Sequence, residues 1–194
     1  MKVNAIGLPC PQPVIQTKKA LEAIESGLVE VVVDNMVARE NVKKLAAKLG
    51  FPCQEREEGD KIIVMITKGQ DAVKPEVSAA QLAPRTLAIA AETMGRGDEE
   101  LGKILMKGFI YSLTEVHPYP KTILFYNGGV KLACEGAESI EDLEKLEAAG
   151  VEILVCGTCL NFFDLGDKIA VGSVSNMYTI VEALQDTENT LILS

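Results

Sequence analysis

Three apolar runs in the C-terminal half of the chain, TLAIA, TILFY and VEILV, place the strongest constraint on the fold. Each run is followed by a loop and, further along, by an amphipathic helical pattern. Strands that are buried on both faces have this composition, and in parallel sheets they alternate with covering helices. Residues 85–194 are therefore predicted to form a three-layer αβα domain with a mostly parallel sheet.

Two finer expectations follow from the periodicity of this half. The helix ELGKILMKGFIYSLTE is predicted to pack through one side, which carries Leu101, Leu105, Gly108 and Ser112. The run TLILS is predicted to close the domain as a buried strand, because it is apolar and short.

The N-terminal part of the chain has a different pattern, which reads strand, helix, strand, helix, strand, strand. The last two runs, FPCQERE and KIIVMITK, flank Gly59-Asp60, a pair typical of a hairpin turn. Residues 1–69 are predicted to form a two-layer βαβαββ sandwich. Residues 70–84, which are rich in alanine, proline and polar side chains, are predicted to be a linker.

Charge and composition exclude several classes of function. The net charge is −9, with about +1 on residues 1–70 and −10 on residues 71–194, so neither half has the basic surface that nucleic-acid binding requires. No apolar run approaches the roughly 18 residues of a membrane span, and MKVNAIG lacks an apolar signal core. We therefore expect a cytoplasmic protein without membrane or nucleic-acid partners. Its five cysteines are an odd number and are expected to be reduced.

One thiol lies between two prolines, in the sequence Cys10-Pro11-Gln12-Pro13. If the helix begins at Pro11, Cys10 is the N-cap residue, and the prolines occupy early positions where a missing N–H costs little. The helix dipole and unpaired amides such as that of Gln12 would stabilise a thiolate. No second cysteine lies in the tetrapeptide, which favours a carrier of one atom over disulfide exchange. The alternative is that Cys10 is a small buried apolar side chain.

A second pair, Cys156 and Cys159, forms a CxxC at the end of the strand VEILV, where open α/β sheets place ligand sites. A zinc site is not supported, because His117 is the only histidine and lies far away in sequence. A thioredoxin-like dithiol fits the spacing, but CGTCLNFFDLGDK does not read as a helix start. The pair could instead accept a sulfur or selenium atom, or have a structural role. Which of the two cysteines would react stays open.

Several other residues are candidates to support these sites. Gly128-Gly129 is predicted to make a tight turn, or to allow a neighbouring loop or a substrate to approach closely. Cys53 and Cys134 are predicted to fill cores, although Cys134 follows a strand end and could border the CGTC site. His117 is predicted to be a surface loop residue. The sequence indicates neither a metal nor a cofactor.

Motifs in both halves resemble known families. GLPCPQPVIQTKKAL is similar to the CPxP signature of the TusA-like (SirA-like) sulfur carriers, whose cysteine carries a persulfide. The segments EELGKILMKGFIYSLTE, ILFYNGGVKLACEG, VCGTCLNFF and NMYTIVEAL resemble DsrE/DsrF-like domains. The two together resemble the YedF-type sulfurtransferase-like selenium metabolism proteins. The resemblance implies that Cys10 occupies the carrier position, and that Pro11 and Pro13 belong to its motif.

The predicted function is an intracellular sulfur or selenium carrier or transferase, whether or not it is an enzyme in the strict sense. Cys10 would hold the atom as a persulfide or selenosulfide, with relay to the CGTC loop as an extension. The resemblance implies a cysteine desulfurase-type donor or a selenide source, a downstream acceptor protein, and a homo-oligomer formed through the C-terminal domain. Two alternatives are a thiol-disulfide oxidoreductase that uses Cys156 and Cys159, and a non-catalytic regulatory interaction module.

Overall fold

The structure, a computed structural model, describes residues 1–69, 85–185 and 189–193. The chain divides into two units, residues 1–77 and residues 78–194. The predicted linker, residues 70–84, lies outside the described residues. The domain limits proposed from the sequence therefore stay a prediction.

The N-terminal unit contains a four-stranded mixed sheet and two helices. Its elements are β1 (Lys2–Asn4), α1 (Gln12–Glu22), β2 (Gly27–Val33), α2 (Met36–Lys48), β3 (Cys53–Glu58) and β4 (Lys61–Lys68). The strand order is β1-β2-β4-β3, with β1 parallel to β2 and the other pairs antiparallel. The βαβαββ order predicted from the sequence is confirmed, including the hairpin at Gly59-Asp60, where Gly59 has φ +60°.

The core of this unit follows the period of each element. In β2, Val29, Val31 and Val33 alternate toward the core, and α2 contributes Val42 and Ala46 from one face. The start of α2 is capped by the Asn35 side chain, which accepts a hydrogen bond from the Ala38 N–H at 2.8 Å. The helix ends before Gly50, whose φ of +73° terminates it.

The C-terminal unit is built on an all-parallel sheet with the strand order β8-β7-β6-β5-β9. Its elements are β5 (Arg85–Ile89), α3 (Glu99–Leu113), β6 (Thr122–Phe125), a 3₁₀ helix (Asn127–Ala133), α4 (Ile140–Ala148), β7 (Glu152–Cys156), α5 (Gly157–Phe162), β8 (Ser173–Ser175), α6 (Met177–Gln185) and β9 (Asn189–Leu193). All four residues of β6 are buried, which requires cover on both faces of the sheet. The predicted α/β class with a mostly parallel sheet is confirmed.

The packing face predicted for α3 is wrong. Gly102, Met106 and Ile110 are buried, whereas Leu101 and Leu105 are 53% and 46% exposed. The helix carries two adjacent apolar stripes with the same spacing, so its period alone does not determine which stripe packs. Gly102 lies on the stripe that packs, and a Cβ at this position would lie 2.7 Å from the Thr93 Cβ.

The closing strand also differs from its prediction. β9 pairs with β5 at the edge of the described sheet, and Leu191 and Ile192 are 43% and 57% exposed. An apolar run indicates a strand, but it does not say whether that strand lies in the centre of a sheet or at its edge. TLILS is therefore a strand, as predicted, but not a buried one.

Candidate functional site

Cys10 is exposed and lies in the loop that joins β1 to α1. Helix α1 begins at Gln12, so Pro11 is its N-cap residue and Cys10 lies one residue further out than predicted. The Pro11 carbonyl accepts hydrogen bonds from the N–H groups of Val14 and Ile15, at 3.1 and 3.2 Å. It therefore acts as the first carbonyl of the helix, which fixes the helix start at this proline.

The expectation that the Gln12 amide is unpaired is wrong. Its N–H donates to the Pro9 carbonyl at 2.9 Å, and Pro11 and Pro13 have no N–H to offer. The first turn of α1 thus leaves little main-chain hydrogen bonding for a sulfur anion.

The loop that carries Cys10 is held by the junction between β2 and α2. The Asp34 carboxylate accepts a hydrogen bond from the Gly7 N–H at 2.6 Å and one from the Asn35 side-chain amide at 2.9 Å. These two bonds, with the Gly7 bond first, lower the pKa of Asp34 below its ordinary value. Gly7 has φ +71°, a conformation that favours glycine. Gly7, three residues before Cys10, therefore ties the loop to the junction between β2 and α2.

A small recess of about 50 Å³ lies beside Cys10. Its walls include Pro11, Pro13, Val37, Asn35 and Asn41, so apolar surfaces and two amide side chains border the thiol. The recess is small, and it lies directly beside the thiol. An atom bonded to the sulfur could be partly shielded there.

The CGTC cysteines lie at the carboxyl end of β7. Cys156 is the last residue of β7 and the N-cap of α5, and it is 1% exposed. Cys159 lies within α5 and is half-buried, and both thiols are free. The expectation that this segment is not a helix start is therefore wrong. The helix has six residues, too few to show an apolar period in the sequence.

The Cys159 sulfur has two defined neighbours. The main-chain N–H of Asn127 donates to its Sγ at 3.1 Å, and Cys156 lies three residues earlier, at the N-cap of the same helix. Burial, and then the neighbouring Cys156 thiol, raise the pKa of Cys159, while the Asn127 N–H acts in the opposite direction. The structure thus brings together the two sequence-predicted thiols, and it adds an amide donor that sequence reasoning missed.

The glycine pair lies in the 3₁₀ helix beside Cys159. A Cβ at Gly129 would lie 2.2 Å from the Ile89 carbonyl oxygen, whereas a Cβ at Gly128 would have its nearest neighbours at 3.8 Å. Gly129 thus allows the predicted close approach of a neighbouring segment, and that segment is the end of β5. Gly128 has room for a side chain.

A charged pair at the same end of the sheet was also missed from the sequence. Lys131 Nζ lies 2.6 Å from a Glu92 carboxylate oxygen and 4.9 Å from the centre of the Phe163 ring. Glu92 follows β5 and Lys131 follows β6. Their positions after parallel strands were the signal that could have identified them, because such strands end at the same edge of the sheet.

The remaining candidate residues, Cys134, Cys53 and His117, lie in packed or surface positions. Cys134 is buried, donates to the Val130 carbonyl at 3.2 Å, and has its pKa raised chiefly by burial. Cys53 is half-buried against the core of the N-terminal unit. The exposed His117 ring lies 4.3 Å from the ring of Tyr119.

Neither a metal site nor a membrane-spanning helix is found among the described residues. Among residues 1–69, 85–185 and 189–193, no three His, Cys, Asp or Glu side chains are grouped so that they could hold a metal ion. No helix in this part of the chain is both long and apolar enough to span a bilayer. A cavity of about 420 Å³ is lined by residues such as Thr122, Glu152 and Glu182, and no cysteine lines it.

Comparison with known proteins places both units. Residues 1–68 match the family described as Sulfurtransferase TusA, and residues 61–192 match the DsrE/DsrF-like family. A candidate sulfur carrier protein of Archaeoglobus fulgidus is 40% identical over 50 residues, which are 25% of this chain and 65% of that protein. A candidate sulfur carrier protein of Methanocaldococcus jannaschii is 38% identical over 68 residues, which are 34% of this chain and 91% of that protein.

Two solved structures are also similar. The SirA-like protein from Desulfitobacterium hafniense is 37% identical, with a TM-score of 0.33, and the match covers 35% of this chain and 96% of that chain. The ychN protein from E. coli is 14% identical, with a TM-score of 0.42, and the match covers 56% of this chain and 98% of that chain. The family matches and the similar sulfur carrier proteins show that the chain belongs to the DsrE/DsrF-like family through residues 61–192. They also show that it carries a TusA domain at residues 1–68.

Proposed function

We propose that this protein is a sulfur or selenium carrier that holds the atom on Cys10 as a persulfide or selenosulfide. The observation that carries the proposal is the placement of Cys10: an exposed thiol on a clamped loop, beside a recess of about 50 Å³. The TusA match over residues 1–68 and the candidate sulfur carriers among the relatives support the same reading.

The proposed transfer moves one sulfane sulfur without net oxidation. The Cys10 thiolate attacks the outer sulfur of a donor persulfide, R–S–SH, and the donor sulfur–sulfur bond breaks. The donor leaves as the thiolate R–S⁻, while Cys10 becomes Cys10–S–SH. A cysteine desulfurase-type enzyme is the proposed donor, and a downstream protein thiol would take the sulfur by the same exchange.

Selenium requires one further condition, because selenide is fully reduced. Hydrogen selenide ion could displace a thiolate from a mixed disulfide on Cys10, which would leave Cys10–S–SeH and the free thiol. The oxidised partner in that step is the mixed disulfide itself. We propose selenium metabolism as one setting of this chemistry and sulfur modification of other molecules as the second.

The CGTC pair is proposed to relay the atom. Cys156 and Cys159 lie at the carboxyl edge of a parallel sheet, together with an N–H donor and the charged pair Lys131 and Glu92. A thiol pair placed in this way can accept a sulfane sulfur from a persulfide.

The second candidate is a thiol-disulfide oxidoreductase. It is favoured by one observation: Cys156 and Cys159, both free thiols, lie together at the start of α5. Unlike a carrier, such an enzyme must cycle through a Cys156–Cys159 disulfide. A regulatory interaction module, the third reading, would be indifferent to Cys10→Ser.

The predicted homo-oligomer also belongs to this proposal. Leu101, Ile104 and Leu105 form an exposed apolar strip on α3, of the kind that often marks an interface between protein chains. We propose that the C-terminal unit assembles through apolar surface of this kind in a cytoplasmic oligomer.

Intact-mass spectrometry tests the function directly. The full chain is incubated with a cysteine desulfurase and cysteine, and the variants are Cys10→Ser, Cys156→Ser/Cys159→Ser and, as a matched control, Cys53→Ser. We expect a gain of about 32 Da for sulfur in wild type and in the Cys53 control, with loss of the adduct in Cys10→Ser. A wild-type protein that gains no mass, and instead loses about 2 Da under mild oxidant at the CGTC pair, would support the oxidoreductase.

A further inference from the structure

We propose that Cys159, rather than Cys156, is the thiol of the C-terminal unit that accepts the sulfane sulfur, and that the main-chain N–H of Asn127 positions and stabilises its sulfur anion. The inference rests on the proposed function and assigns roles within the CGTC pair. Asn127 is a positioning residue, and it acts through its backbone rather than its side chain.

Access separates the two cysteines. Cys156 is 1% exposed at the end of a central strand, whereas Cys159 is half-buried on α5. An attacking thiolate must reach the outer sulfur of a donor persulfide that is itself attached to another molecule. Cys159 meets that requirement, and Cys156 would need the end of β7 to open.

The hydrogen bond to the sulfur also separates them. The Asn127 N–H lies 3.1 Å from the Cys159 sulfur, within the range for a hydrogen bond to sulfur. A donor at this position favours the thiolate over the thiol. It stabilises the anion before attack and again when Cys159 becomes the leaving group in the next transfer.

The amide is held in place by the backbone around it. Asn127 has φ +48°, in the left-handed region that asparagine tolerates better than most residues. On one side, the Tyr126 N–H donates to the Ile89 carbonyl at 3.1 Å. On the other side, Gly129 lies so close to Ile89 that no Cβ would fit without movement. These contacts aim the Asn127 N–H at Cys159 without help from its side chain.

Cys156 then has a supporting role. Burial, and then the neighbouring Cys156 thiol, raise the pKa of Cys159. Removal of the Cys156 thiol should therefore release Cys159 for reaction at lower pH.

The proposed step is balanced within the two reacting partners. Cys159 loses its proton to solvent, and its thiolate attacks the outer sulfur of R–S–SH. One sulfur–sulfur bond forms as the donor bond breaks, which gives Cys159–S–SH and R–S⁻. The departing thiolate takes up a proton, and no external oxidant or reductant is consumed.

The test uses the full chain with Cys10→Ser, so that label on the N-terminal unit does not interfere. The protein is exposed to glutathione persulfide, and the modified peptide is identified by mass spectrometry. In parallel, the rate of Cys159 alkylation by iodoacetamide is measured against pH. The variants are Cys156→Ala, Cys159→Ala, Asn127→Val, Asn127→Ala and Asn127→Gly.

We expect the label on Cys159, its retention in Cys156→Ala, and its loss in Cys159→Ala. Asn127→Val places a β-branched residue at positive φ and should slow Cys159 alkylation near neutral pH roughly tenfold, the effect of losing a hydrogen bond to a charged group. Asn127→Gly can adopt the same positive-φ conformation, so the rate of Cys159 alkylation should fall less. Asn127→Ala should fall between them, and it serves in place of Asn127→Val if that variant does not fold.

A matched control addresses backbone strain in general. Asp164 is a second non-glycine residue with positive φ, +56°, but its N–H donates to the Asn161 carbonyl at 3.3 Å and not to sulfur. Asp164→Val should unfold at a lower temperature without moving the pH midpoint of Cys159 alkylation.

Two results would overturn the inference. One is persulfide on Cys156 that survives Cys159→Ala. The other is an identical Cys159 pH profile in folded Asn127→Val, Asn127→Ala and Asn127→Gly. Failure of the proposed function is distinct, because it is seen as absence of a Cys10 adduct in the protein that retains Cys10.

Discussion

The Asp34 carboxylate accepts the Gly7 N–H at 2.6 Å, and this bond joins the end of β2 to the loop that carries Cys10. The two residues are far apart in sequence. Their bond nevertheless restrains the loop next to the thiol, because Gly7 lies three residues before Cys10. Asp34 also accepts from Asn35, whose side chain caps α2 and borders the Cys10 recess. One carboxylate thus links the helix cap, the recess and the reactive loop.

Loss of this carboxylate should loosen the Cys10 loop. In Asp34→Ala, we expect hydrogen exchange at the Gly7 amide to rise roughly tenfold, since a charge-assisted hydrogen bond is lost. Hydrogen–deuterium exchange with mass spectrometry measures the change. Lys2→Ala, at the start of the preceding strand, is the control, and equal exchange at Gly7 in wild type and Asp34→Ala would contradict the role of Asp34.

The same bond predicts a dependence on pH. The folded-state pKa of Asp34 lies below its ordinary value of 3.8, so the ionised carboxylate stabilises the fold at pH values well above 3.8. That contribution should disappear as the pH falls below 3.8 through the lowered folded-state pKa. Chemical unfolding of wild type and Asp34→Asn should show a stability difference that shrinks in acid. A difference that stays constant from neutral to acidic pH would exclude this linkage.

Substitution of the glycine pair should give unequal results. Gly129→Ala forces its Cβ toward the Ile89 carbonyl, and we expect a loss of about 2–4 kcal/mol in the free energy of unfolding. Gly128→Ala, with nearest neighbours at 3.8 Å, should change that free energy by less than about 1 kcal/mol. Urea unfolding of both variants decides the matter. Equal losses would mean that the contact with β5 is not the cause.

Cys159 should alkylate slowly at neutral pH, because its pKa is raised above the ordinary value of 9.0. The pH midpoint of its alkylation should be higher than that of a cysteine in an unstructured peptide, and Cys156→Ala should lower it. Iodoacetamide labelling between pH 7 and about 10.5 follows the change. A pH midpoint that does not move in Cys156→Ala would mean that the Cys156 thiol does not contribute to the raised pKa of Cys159.

The proposed oligomer can be tested on α3. Leu105→Lys places a charge in the exposed apolar strip, and it should shift the protein toward lower mass in size-exclusion chromatography with light scattering. Lys103→Glu, on the same helix and exposed, is a matched control for charge change. A wild-type protein that is already monomeric at micromolar concentration would remove the oligomer from the proposal.

Much of the architecture could be predicted from the sequence, because alternating strands and helices leave strong periodic signals. The exceptions have identifiable causes. Helix α3 has two apolar stripes of equal spacing, and the stripe that packs is the one with Gly102, which lies close to Thr93. Strand β9 is as apolar as a central strand, although it lies at the edge of the described sheet.

The candidate sites show the same division. The sequence identified the reactive residue types, Cys10 and the CGTC pair, because their motifs are local. It placed the start of α1 one residue early, since Pro11 fits either side of a helix start. It could not show that the Gln12 N–H bonds to Pro9, or that the Asn127 N–H bonds to Cys159, because backbone hydrogen bonds in loops leave no residue signature.

The order of strands in the C-terminal unit has a consequence for synthesis on the ribosome. Among the described strands of this unit, β5 is made first, yet one of its two partners, β9, follows only after the others. The outer edge of β5 therefore lacks its partner while the rest of the unit emerges, and an open edge invites pairing with another nascent chain. The TusA domain, made entirely beforehand, can complete its own sheet during that interval.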